Sequence, residues 1–102
     1  MGDKGKLNAQ INGLILKFLN KMYPDGLTVK FIEALLYDWE IFMTEEQLLK
    51  KNISYLISKG YVEGHDVELP APIHKVKKVK ITPKGKALLE GEFIDQNVNL
   101  EL

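Results

Sequence analysis

Lysine is the residue whose placement first invites a chemical reading. Lys75, Lys77, Lys78, Lys80, Lys84 and Lys86 form a short run with no acid inside it. On a projecting hairpin Lys75, Lys77, Lys78 and Lys80 would each meet a phosphate, with a strength that falls as salt rises. Glu63, Asp66 and Glu68 lie on the opposing segment and can pair with the same lysines across the hairpin, so the sequence leaves both readings open. All fourteen basic residues are lysine, and the guanidinium fork that most often reads guanine is missing, so contact with nucleic acid would lean on phosphates. His65, Asp66, Glu68 and His74 are metal-ligand types without a recognised ligand spacing, and neither a metal nor a cofactor is expected. There is no Gly-rich phosphate loop, no Gly-x-Ser-x-Gly elbow and no framed carboxylate pair; an enzyme is not expected.

Hydrophobic periodicity supplies the elements that must position these side chains. Leu7, Ile11, Leu14, Ile15, Phe18, Leu19 and Met22 recur at three- and four-residue steps, which predicts a helix with one buried stripe. Tyr23-Pro24-Asp25-Gly26 ends it with turn chemistry. Thr28 can cap a second helix with Phe31, Ile32, Leu35, Leu36 and Trp39 inside, ending near 38–41. Thr44-Glu45-Glu46-Gln47 has the form of a capping box, which starts a third helix running to Lys59 and stopped by Gly60. From Tyr61 the pattern becomes that of strands: Tyr61-Val62-Glu63, a loop at Pro70-Ala71-Pro72, then alternation of lysine with valine or isoleucine from Lys75 to Thr82. Val76 has the opposite parity to Val79 and Ile81, so it sits at the tip or a bulge resets the register. Thr82-Pro83 opens a last short helix through Ala87, Leu88 and Leu89, closed by Gly91.

Bulk numbers bound the class. A chain of 102 residues that is 45% hydrophobic buries one modest core, and the organisation expected is a flexible 1–6, a domain over 7–91 and a tail over 92–102. No cysteine is present, which excludes disulfides and thiolate zinc sites; with no apolar leader or spanning run, the cytoplasm is the expected compartment and no membrane partner is expected. Fourteen acids cancel fourteen lysines, so any basic surface is local, and Asp25 to Glu46 holds six acids against Lys30.

The order of these elements, an α+β and mostly α arrangement, resembles the winged helix-turn-helix family: a three-helix core, a two-stranded wing hairpin and a short C-terminal helix. Asn52-Ile53-Ser54-Tyr55-Leu56-Ile57-Ser58-Lys59-Gly60-Tyr61-Val62 resembles the end of the recognition helix in bacterial, archaeal and phage winged-helix regulators. Ile81-Thr82-Pro83-Lys84-Gly85-Lys86-Ala87-Leu88-Leu89 is similar to their exit from the wing. Glu40-Ile41-Phe42-Met43 is bulkier than the turn such proteins often show, and arginine is absent. The resemblance implies binding of double-stranded DNA by a transcriptional regulator, with the helix over 44–59 in the major groove and the 61–82 hairpin as wing. A winged-helix module for protein contacts or assembly is the alternative, favoured by the neutral charge and the acidic second helix.

Projected at about 100° per residue, the buried side of the third helix is Leu49, Ile53, Leu56 and Ile57. The opposite side carries Gln47, Lys51, Ser54 and Ser58, with Tyr55 on one flank; these and Lys50 join Lys75, Lys77, Lys78 and Lys80 as the expected DNA-contacting residues. On the first helix Leu16 lies opposite the stripe among Ala9, Gly13 and Asn20, which suggests a homodimer face. In the tail, Val98, Leu100 and Leu102 share one side of an extended strand that must pair with its own sheet or a partner, or stay disordered.

Overall fold

A computed structural model of the chain describes residues 2–38, 46–68 and 75–101, with side chains placed over 5–38, 49–66 and 77–101. The elements run α1 (Gly2–Met22), β1 (Leu27–Thr28), α2 (Val29–Asp38), α3 (Glu46–Ser58), β2 (Val62–Glu68), β3 (Lys75–Ile81) and α4 (Pro83–Leu89). The expected Thr44 cap, the prolines at 70 and 72, Trp39, Phe42 and His74 lie outside the described residues. No helix among the described residues is long and apolar enough to cross a membrane.

The punctuation read from the sequence operates as its chemistry requires. Thr28 Oγ1 accepts from the Phe31 N–H at 3.1 Å and starts α2. Thr82 Oγ1 accepts from the Gly85 N–H at 3.1 Å and donates to the Gly60 carbonyl, which ties the start of α4 to the end of α3. Gly60 and Gly91, at φ 78 and 81, take the left-handed conformation that closes a helix and that a Cβ would disfavour.

The sheet has an extra member. Leu27–Thr28 pairs antiparallel with β3, matching Leu27 to Val79 and Thr28 to Lys78, so the strand order is β1-β3-β2. A two-residue strand is too short to show periodicity, and its sequence reads only as turn and cap. The hairpin register is continuous from Val62 opposite Ile81 to Glu68 opposite Lys75. No bulge interrupts it, and Val76 stands opposite Val67.

The main correction concerns α1. Leu16, expected to face outward, is 0% exposed, and Ala9, Asn12 and Gly13 are buried with it. The tail forms no strand; it returns along α1, where the Asn99 N–H donates to the Ala9 carbonyl at 2.9 Å, Asn12 Nδ2 to the Asn97 carbonyl at 2.9 Å and Lys17 Nζ to the Leu100 carbonyl at 2.8 Å. A Cβ at Gly13 would collide with the Asn99 carbonyl, so glycine is what lets the tail backbone lie directly on the helix. The small-residue face is therefore filled by the chain's own C-terminus, with Val98 buried against it, and the expected dimer surface is closed. At the ends of the stripes the periodicity overshoots: Leu7, Met22, Phe31 and Ile57, all assigned to buried sides, are exposed.

Gly13→Ala should therefore lower stability by about 1–3 kcal/mol, the usual cost of overpacking, and make the tail sensitive to limited proteolysis. Gly5→Ala, in open space on the same helix, should raise stability by roughly 0.5–1 kcal/mol through helix propensity. Thermal denaturation of both variants checks this, and equal behaviour of the two would contradict the tail placement.

Candidate nucleic-acid interface

Helix α3 is amphipathic in the expected phase. Leu49, Ile53 and Leu56 enter the core, while Lys50, Lys51, Ser54 and Ser58 are exposed. Lys50, Lys51, Ser54, Tyr55 and Ser58 line one open trough along the helix. A second groove joins that face to the hairpin through Lys50, Ile53, Ser54, Ile57 and Lys77. The hairpin approaches closely because β2 has Gly64 beside Ile57, where even a Cβ would crowd the Ile57 and Lys77 side chains. The side chains of Gln47 and Lys75 lie outside those described; their backbones belong to α3 and β3.

Not all of the expected donors are free to act. The Tyr55 hydroxyl donates to the Asp95 carboxylate, 2.8 Å from Oδ2, and accepts from Asn97 Nδ2 at 3.2 Å, so it faces the tail and not a ligand in the trough. Ser58 Oγ donates to the Tyr55 carbonyl at 2.7 Å. The side chains of Lys51 and Ser54 make no hydrogen bond or ion pair among the described residues. On the hairpin, Lys80 Nζ lies 3.4 Å from Glu63 Oε1, an exposed pair worth about 0–1 kcal/mol. The register also sets Lys77 opposite Asp66 and Lys75 opposite Glu68. Lys78 alone of the four stands opposite a residue that is not an acid, His65. The two readings of the hairpin thus divide: acids stand across from three of its lysines, while Lys78 has none opposite it.

Asp95 was not visible as a site residue. It accepts from Tyr55, from Tyr61 at 2.6 Å and from the Asn97 N–H at 2.8 Å. Asp95-Gln96-Asn97 does carry the signal of an Asx turn, but nothing in the sequence indicates the tyrosines it binds. Burial opposes the Asp95 charge, yet the donors Tyr61, Asn97 and Tyr55, with Lys59 near, outweigh it and hold the carboxyl below its usual range. Burial first, and the carboxylate second, push the Tyr61 hydroxyl well up. Burial also raises Tyr55, with Asp95 adding and Asn97 opposing. Among the described residues no group of three His, Asp or Glu is placed to hold a metal ion.

These shifts fix a pH window. A depressed folded pKa contributes stability above the unfolded carboxyl pKa, about 4, and loses it as pH falls through the folded value; the raised tyrosines contribute below about 10 and lose it as pH rises through theirs. Asp95→Asn should cost about 1–2 kcal/mol near neutral pH and flatten the acid limb of the stability curve. Urea denaturation of wild type and variant across that range reads it, and parallel acid limbs would show that Asp95 is not the responsible group.

In comparison with known proteins, no family model, no curated protein and no solved structure matches this chain, so the reading of the interface rests on its own residues.

Proposed function

We propose that the chain is a winged-helix DNA-binding protein acting as a transcriptional regulator, with α3 in the major groove and the β2–β3 hairpin as wing. The observation that carries this reading is the exposed strip Lys50, Lys51, Ser54 and Ser58 on the one helix followed directly by a projecting hairpin, joined to Lys77 by a common groove. Lysines supply phosphate contacts, and serine hydroxyls can donate to or accept from base edges. A two-stranded hairpin beside such a helix has its lysines, Lys78 foremost, at the height of the neighbouring backbone. With three wing lysines opposite acids, α3 supplies most of the affinity in this reading.

A second reading, a protein-contact module, is favoured by the outer side of α2, where Phe31 is 53% and Tyr37 65% exposed. Aromatic residues are enriched at protein contact surfaces.

Anisotropy titration of a mixed-sequence duplex at two salt concentrations separates the readings. Lys51→Ala with Ser54→Ala should weaken binding and lower the salt slope by about one, because each phosphate contact contributes about 0.9. The melting temperature should hardly move, since both side chains are exposed. Glu63→Gln should raise affinity at low salt by releasing Lys80. A duplex that binds the double variant as it binds wild type would transfer α3 to the protein-contact reading.

A further inference from the structure

The outer side of α2 is patterned about its middle. Ile32 and Leu36 enter the core, while Lys30, Phe31, Glu33, Ala34, Tyr37 and Asp38 are exposed. Projected from Ala34 at about 100° per residue, Lys30 and Asp38 fall about 40° to either side, and Tyr37 and Phe31 about 60°. Lys30 and Tyr37 share one flank, Phe31 and Asp38 the other. Along the axis the spacing is even too. An aromatic stands three residues, about 4.5 Å, on each side of Ala34, and a charge four residues, about 6 Å, on each side. The two charges are opposite, and the side chains of Lys30 and Asp38 make no hydrogen bond or ion pair among the described residues. Ala34, the smallest side chain of the strip, is at its centre.

We infer that this face binds a second copy of the chain, α2 against α2 and antiparallel, with Ala34 at the two-fold axis. An isologous contact needs a surface that complements itself, so that residue i meets j while j meets i. Turning α2 end over end about Ala34 brings Lys30 level with the partner subunit's Asp38, and Phe31 level with the partner subunit's Tyr37. The same turn puts the partner subunit's Tyr37 on the flank of Lys30, where a cation can lie over the ring. No like charges are brought level, and Glu33, about 100° from Ala34, falls to the rim. A small residue at the centre lets the two helices approach closely enough for the aromatics to pack. A foreign partner would use the exposed rings equally well, but it would not require mirrored spacing or opposite charges at the two ends. One face of a ten-residue helix is a small contact. It belongs below about 1,200 Å² in total, the range of transient pairs, so the dimer forms and dissociates with concentration. The exposed strip of α3 is no part of this face, and the pairing stands whether or not α3 meets a duplex.

Sedimentation equilibrium of the full chain without DNA, from about 10 µM to about 1 mM, tests it, and wild type should pass from monomer to dimer across that range. Lys30→Glu and Asp38→Lys should each weaken self-association roughly tenfold, because each sets like charges level at both ends of the contact. Mixed in equal amounts, the two variants should pair with one another about as tightly as wild type pairs with itself, since the opposite charges are then restored at both ends. Neither reversal threatens the monomer: both positions are exposed, and an acid near the start of a helix and a lysine near its end suit the helix dipole. Ala34→Lys should abolish the dimer and leave the monomer's melting temperature nearly unchanged. Wild type that stays monomeric at about 1 mM would overturn the inference and hand the aromatic face to a different protein. A dimer that survives Ala34→Lys, or that mixing the two reversals fails to restore, would equally overturn it by placing the contact elsewhere.

Discussion

Helix α1 is enclosed from two opposite sides, and the placement of every other element depends on that enclosure. On one side Ile11, Leu14, Ile15 and Leu19 meet the core shared with α2, α3 and the sheet. On the other, Ala9 and Gly13 are so small that the tail backbone itself becomes the covering layer. Along its middle the helix loses water on both faces, so the polar groups buried there must be answered within the chain. Asn12 is answered by the Asn97 carbonyl and by Asn52, Lys17 by the Leu100 carbonyl. The tail thus replaces solvent for half of α1.

The same tail controls the edge of the exposed α3 strip. Asp95 gathers two tyrosine hydroxyls, one from α3 and one from the residue just before β2. A carboxylate near a lysine-bearing surface would weaken its attraction for phosphate. Here Tyr55, Tyr61 and the Asn97 N–H occupy that carboxylate, which holds the Tyr55 hydroxyl toward the tail. Charge cancellation recurs along the hairpin, where the register sets acids across from Lys75, Lys77 and Lys80. On the hairpin the net zero charge is therefore also a local pattern, with Lys78 as its exception.

Asn12 and Asn52 show how a buried polar pair specifies as well as stabilises. Apolar side chains in their place would pack in several alternative registers, whereas the amide chain from Asn97 through Asn12 to Asn52 is satisfied in one. It aligns α3 against α1 while leaving one oxygen over.

The sequence by itself determined the helices and the punctuation between them, because apolar repeat, threonine caps and left-handed glycines act over a few residues and owe little to the rest of the chain. Thr28, Gly60, Thr82 and Gly91 do what their local chemistry requires. The exposed side of α3 followed from the same periodicity. Tertiary structure alone decided what a one-dimensional projection cannot contain. Leu16 projects opposite the apolar stripe and is nevertheless buried, since a segment more than eighty residues later in the chain returns to cover it. Tyr55 projects toward the trough flank and is claimed by Asp95, forty residues on. Which lysines of the hairpin face an acid depended on a register that alternation by itself left undecided. Local rules fix what a residue offers; long-range pairing fixes what is left to meet it.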